Sequence, residues 1–201
     1  MTGYWFLDPV GDWTPPPALA DFLQAGFPPV YVGFGSMSSR NPEEPADLVL
    51  EALARTRQRG VILSGWSGLQ AADLPSSVIA VDSVPFAWLF SRVAVVVHHG
   101  GAGTTAAGLR AGVPAILIPF FADQPFWGRR VAELGVGPAP VPRRKLTAER
   151  LARAIESAVQ DPVMRQRAAD LGARIRAEDG IARAVAVVRQ IEKRWTSCSS
   201  S

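Results

Sequence analysis

From Pro29 onward the chain is patterned in blocks. Short runs that are apolar throughout are followed by small polar residues, and then by segments of helical period. The runs Val30-Tyr31-Val32-Gly33-Phe34, Val61-Ile62-Leu63, Val78-Ile79-Ala80-Val81, Val93–Val97 and Ala115–Ile118 predict strands, with Val136–Val141 as a short sixth. None alternates residue by residue, and a strand apolar at every position is one buried on both faces, as in a parallel sheet. Between them, Ala46–Arg59 has helical period with Gly60 as its stop, Thr104–Ala111 is closed by Gly112, and Gln124–Leu134 by Gly135. Thr147–Gln160, Pro162–Arg176 and Ile181–Trp195 predict three closing helices, the first two capped by Thr147 and Asp161. Strand and helix in alternation predict an α/β, Rossmann-like doubly wound parallel sheet with additional C-terminal helices.

The first 29 residues lack this period. They are rich in Pro and large aromatics (Tyr4, Trp5, Phe6, Trp13, Pro15-Pro16-Pro17) and predict an extended arm followed by a short helix, Ala18–Ala25. The expected organisation is therefore a connector arm over residues 1–29, one domain over 30–195, and a disordered serine-rich tail over 196–201.

Composition adds exclusions. With 48% hydrophobic and 19% charged residues, the 201-residue chain is neither disordered nor fibrous, and it can bury a core without disulfides or metal. A formal charge of +3 without blocks of like charge gives no nucleic-acid footprint. The single Cys198 allows no internal disulfide, no apolar run approaches the roughly 20 residues that span a bilayer, and the N-terminus does not read as a signal peptide. A cytoplasmic location is the expectation.

Ligands of an open parallel sheet bind outside the carboxyl ends of its strands. The small and polar residues gather at those ends: Gly33-Phe34-Gly35-Ser36, Ser64-Gly65-Trp66, His98-His99-Gly100-Gly101-Ala102-Gly103-Thr104-Thr105, and Pro119–Gln124. The third cluster is the strongest. Its glycines let the backbone approach an anion, the following helix supplies free N–H groups, and His99, Thr104 and Thr105 add donors. It is neither the dinucleotide GxGxxG fingerprint nor a Walker loop. A lone histidine reads as a satisfied side chain in a capped turn; beside a glycine loop at a strand end, His99 reads as a phosphate donor. Gly35 and Ser36 form either a second phosphate-binding turn or a plain bend. Asp123 and Gln124 offer acceptors and donors for sugar hydroxyls, with Asp123 as a mere N-cap the alternative. Trp66 either stacks on a base or belongs to the core, and Trp88 reads as core. No nucleophile, base and orienting acid come together, so no catalytic residue is assigned.

From Ser83-Val84-Pro85 through His98–Thr105 and Ala111-Gly112-Val113-Pro114 to Pro119–Gly128, these residues resemble the donor-binding signature of UDP-glycosyltransferases with the GT-B fold. The resemblance is to the sterol glucosyltransferase and glycopeptide-antibiotic glycosyltransferase branch, and it runs from about Thr2 to Arg194. It implies that His99, Gly101, Gly103 and Thr104, helped by Gly35 and Ser36, hold the diphosphate of a UDP-sugar. Asp123 and Gln124 would contact the donor sugar, and the Val84 backbone the nucleobase edge. It also implies no metal or other cofactor. The chain departs from the plant branch, which has Trp-x-x-Gln at Val81–Val84 and Trp-Asn at Ala102-Gly103; Trp66 is the candidate substitute for the stacking ring. The resemblance covers only the C-terminal half of a two-domain enzyme. The partner expected, in cis or in trans, is an N-terminal acceptor domain that supplies the base. Peripheral membrane contact of the full enzyme and self-association through the aromatic arm are further partner expectations. The function implied is the donor-binding half of an inverting hexosyltransferase acting on a lipophilic hydroxyl, inactive in transfer alone. The alternatives are a regulatory nucleotide-binding module, a subunit of a split enzyme, or less favoured, a sugar-nucleotide epimerase.

Overall fold

The structure is a computed structural model that describes residues 2–6, 13–34, 43–64 and 74–198. Five strands, β1 (Val30–Gly33), β2 (Gly60–Leu63), β3 (Val78–Val81), β4 (Val95–His98) and β5 (Ala115–Leu117), form one parallel sheet in the order β3-β2-β1-β4-β5. The helices are α1 (Pro17–Gln24), α2 (Glu43–Thr56), a short α3 (Phe86–Leu89), α4 (Ala102–Ala111), α5 (Gln124–Glu133), α6 (Ala148–Gln160), α7 (Pro162–Arg176) and α8 (Gly180–Cys198). The doubly wound α/β sheet expected from the apolar runs is the architecture observed.

The strands are apolar at every position because both faces are covered. Val30, Val32, Val95, Val97 and Ile116 point to a face packed by Val49 and Leu53 of α2 and Leu151 and Ile155 of α6. Tyr31, Val61 and Val96 point to the opposite face, under Leu19 of α1, Leu89 and Phe90. Toward the β5 edge, Ala115 and Leu117 meet Val131 of α5 and Ala168 of α7. Each fully buried aliphatic side chain contributes about 1.5–3 kcal/mol, so the sheet centre is the most strongly held part of the molecule.

Several local expectations change. Residues 136–141 form no strand. Val136 O accepts from Ala115 N at 3.1 Å and Val141 N donates to Leu117 O at 3.0 Å, so the segment lies beside β5. Pro138 and Pro140 bring no N–H groups, and a ladder cannot fill. Gly60 is not the helix stop. The helix ends at Thr56, Arg57 takes the left-handed turn (φ 52°), and Gly60 opens β2. There a Cβ would lie 2.6 Å from Leu53 Cδ1, so this glycine lets α2 press onto the strand. The last helix runs on to Cys198, which makes residues 196–198 helical and not part of a disordered tail. Thr147 and Asp161 cap as expected: Thr147 Oγ1 accepts from Arg150 N, and Asp161 Oδ1 from Val163 N and Met164 N.

The described parts of the aromatic arm pack on the helices. The Arg110 guanidinium sits 4.5 Å over the Phe6 ring, and Trp13 meets Trp88 edge-on at 4.9 Å. Trp88 is only half-buried. No helix among the described residues is long and apolar enough to cross a membrane.

Candidate functional site

The strand order reverses between β1 and β4. The connections from these two neighbours leave in opposite directions and open a crevice at their carboxyl ends. The register sets Gly33 beside His98 there. His98 is fully buried. Its Nδ1 accepts from Gly100 N at 3.1 Å, which puts the proton of the neutral ring on Nε2; Nε2 has no partner among the described residues. Burial, aided by the neighbouring His99 charge, pushes its pKa down to about 3, so the ring is a neutral strut for the turn.

The turn leads directly into α4. Gly100 has φ +95°, and a Cβ there would meet Leu117 Cδ2 at 3.2 Å and Gln124 Cβ at 3.3 Å. The turn is thus pressed onto the start of α5. Gly101 occupies the N-cap of α4 with extended geometry and no side-chain cap. The N–H groups of Ala102, Gly103 and Thr104 consequently remain open toward the crevice mouth, at the positive end of the helix dipole. His99 lies half-buried over Gly101, its Nδ1 without a partner among the described residues. Burial lowers its pKa, and the Asp123 carboxylate pulls the other way. Thr104 keeps its hydroxyl unengaged among the described residues. Thr105, expected as a donor, is not available: it is buried, and its hydroxyl donates to Gly101 O at 2.9 Å.

Across Gly100 stands the Asp123–Gln124 pair. Gln124 is buried, and its Oε1 accepts from Phe120 N at 2.7 Å and Phe121 N at 3.2 Å. Two N–H donors converging on one atom identify it as the carboxamide oxygen, so the amide Nε2 is the group left for a ligand. Asp123 occupies the position before α5 but does not cap it. Its backbone is helical (φ −80°, ψ −10°), and its Oδ2 accepts from Trp127 Nε1 at 2.8 Å. The preceding Ala122 has φ 55°, a left-handed conformation that costs a non-glycine residue about 1 kcal/mol.

Val84 follows β3, at the same end of the sheet. Its side chain is buried with Leu89 and Phe90, while its peptide groups have no partner among the described residues. From β3 to β4 is three strand spacings of about 4.8 Å, roughly 14 Å, comparable with a base-to-diphosphate reach. The fold therefore gathers Val84, His99, Gly101, Gly103, Thr104, Asp123 and Gln124 at one end of the sheet. Gly35, Ser36 and Trp66 lie outside the described residues. Two features escaped the reading of the sequence: the Trp127 bond and the strain at Ala122. The first has a signal, since Asp123 and Trp127 are four residues apart on one helix face; the second has none.

This arrangement sets hydrogen-bond donors and a helix dipole, suited to an anion, beside one acceptor and one amide donor suited to hydroxyls. Residues 47–190 match the family model described as erythromycin biosynthesis protein CIII-like, C-terminal domain. The chain is 46% identical over 186 residues to sterol 3-beta-glucosyltransferase UGT80A2 of Arabidopsis thaliana, covering 92% of this chain and 29% of that protein. Among solved structures, the glycotransferase of kitacinnamycin superposes with a TM-score of 0.73 at 26% identity, over 94% of this chain and 47% of that one. The calicheamicin glycosyltransferase CalG4 does so with a TM-score of 0.72 at 27% identity, over 84% and 44%. The chain thus spans under a third of the plant relative and under half of each solved chain. It belongs to the family of erythromycin biosynthesis protein CIII-like C-terminal domains and has the Rossmann-like sheet of the GT-B glycosyltransferases.

Proposed function

We propose that this chain is the nucleotide-sugar-binding half of an inverting glycosyltransferase, and that its donor is a UDP-hexose. The carrying observation is the contact at Gly100, which sets the uncapped first turn of α4 against the Asp123–Gln124 pair. A diphosphate at the helix N-terminus puts the attached sugar beside that pair. His99, Thr104 and the open N–H groups would hold the phosphates, Asp123 and Gln124 the sugar hydroxyls, and the Val84 backbone the base edge.

In transfer, the bond between the anomeric carbon and the diphosphate oxygen breaks as an acceptor oxygen attacks from the opposite side. The acceptor proton passes to a base outside this chain, and the negative charge grows on UDP. Helix dipole and oriented N–H groups facing that charge lower the barrier without a metal ion. The likeness to a sterol glucosyltransferase supports a lipophilic hydroxyl, such as that of a sterol, as acceptor. Calorimetric titration tests the reading. UDP and UDP-glucose are expected to bind the wild-type chain, and more weakly His99→Ala. Equal binding by both would remove the phosphate role. Sugar transfer by this chain alone would overturn the requirement for a second half.

A further inference from the structure

We infer that Trp127 is a positioning residue for the donor sugar: its indole N–H holds one oxygen of Asp123, so that the other is presented to a sugar hydroxyl. This rests on the donor-binding reading above and adds a residue to it.

The geometry is specific. Trp127 Nε1 donates to Asp123 Oδ2 at 2.8 Å, one helical turn away on α5. The indole is half-buried against the cluster of Ala115, Leu117 and Val131, and the Phe126 ring meets it edge-on at 5.2 Å. The ring that carries the donor is therefore packed against the core, whereas the carboxylate is exposed. Asp123 Oδ1 has no partner among the described residues. Without the indole, the carboxylate is drawn to competing places: the α5 N-terminus one bond rotation away, and His99, whose charge it already favours. Gln124 shows the same design in the opposite sense. Its oxygen is consumed by two backbone N–H groups, which leaves only its amide outward. The pair then offers one oriented acceptor and one oriented donor to adjacent hydroxyls.

The test measures UDP and UDP-glucose affinities of the chain by calorimetry for wild type, Trp127→Phe, Asp123→Ala and the double variant, with thermal melts alongside. Trp127→Phe keeps the ring packing and removes the N–H. It is expected to weaken UDP-glucose by about threefold to tenfold, the worth of one hydrogen bond, and to leave UDP unchanged. In the Asp123→Ala background it should have no further effect. Equal weakening of both ligands, no weakening of UDP-glucose, or additive effects in the double variant would each overturn the inference. Should Trp127→Phe not fold, Asp123→Asn turns an acceptor into a donor at the sugar, and unaltered UDP-glucose affinity there overturns it equally. A wild-type chain that does not bind UDP sinks the donor-binding reading itself, an outcome separate from these.

Discussion

His99 Nε2 lies 2.6 Å from where a Cβ on Gly101 would stand, whereas a Cβ on Gly103 would meet nothing within 4 Å. The two glycines of one turn thus serve different purposes. Gly101 makes room for the histidine; Gly103 leaves room outside the protein, where the proposed phosphates lie. Gly101→Ala is expected to displace the imidazole and lower both the melting temperature and UDP affinity. Gly103→Ala is expected to preserve or raise stability, by up to about 1 kcal/mol from helix propensity. It should still weaken UDP about tenfold, because the added methyl overpacks the ligand. Melts and titrations on the two variants separate the roles.

Gln124 is a brace as well as a proposed ligand contact. Gln124→Ala leaves the N–H groups of Phe120 and Phe121 without their acceptor, a loss of about 1–3 kcal/mol. Gln124→Glu restores an acceptor for both and removes the outward amide. Urea unfolding is expected to find the Glu variant close to wild type and the Ala variant well below it. Both should lose UDP-glucose affinity relative to UDP.

His98 makes stability depend on pH. Its folded pKa, about 3, lies below the ordinary histidine value of 6.5, so between these limits the unfolded state binds the extra proton. The stability is fully present above about pH 6.5 and falls as pH drops toward 3, by up to about 1.4 kcal/mol per unit for one group. His98→Asn keeps an acceptor for Gly100 N–H and does not titrate there. Its urea midpoint is expected to fall less than wild type's between pH 7 and pH 5. Parallel curves would show that His98 is not the titrating group.

Much of the fold could be read along the chain because burial on both faces writes itself into every position of a strand. The apolar runs Val95–Val97 and Ala115–Leu117 read as buried strands, which β4 and the β5 edge strand are, and Asp161 before Pro162 reads as the cap of a helix, which it is. The turn at Gly100 was legible because glycines cluster where a strand hands over to a helix. What failed was local: Val136–Val141 is apolar enough for a strand, yet its prolines leave the ladder without donors. Gly60, read as punctuation, is a point of close approach between α2 and β2.

The sequence by itself determined the parallel sheet, the helices around it and the residue types at its carboxyl end, since these follow from periodicity, caps and hydrophobic burial. Only the tertiary structure decided how those residues divide their hydrogen bonds. Thr105 turns inward to Gly101, Gln124 spends its oxygen on the Phe120–Phe121 backbone, Asp123 is held by Trp127, and His98 is buried as a neutral strut. Such choices depend on which donors and acceptors the fold brings within about 3 Å of one another, and no spacing along the chain encodes that distance.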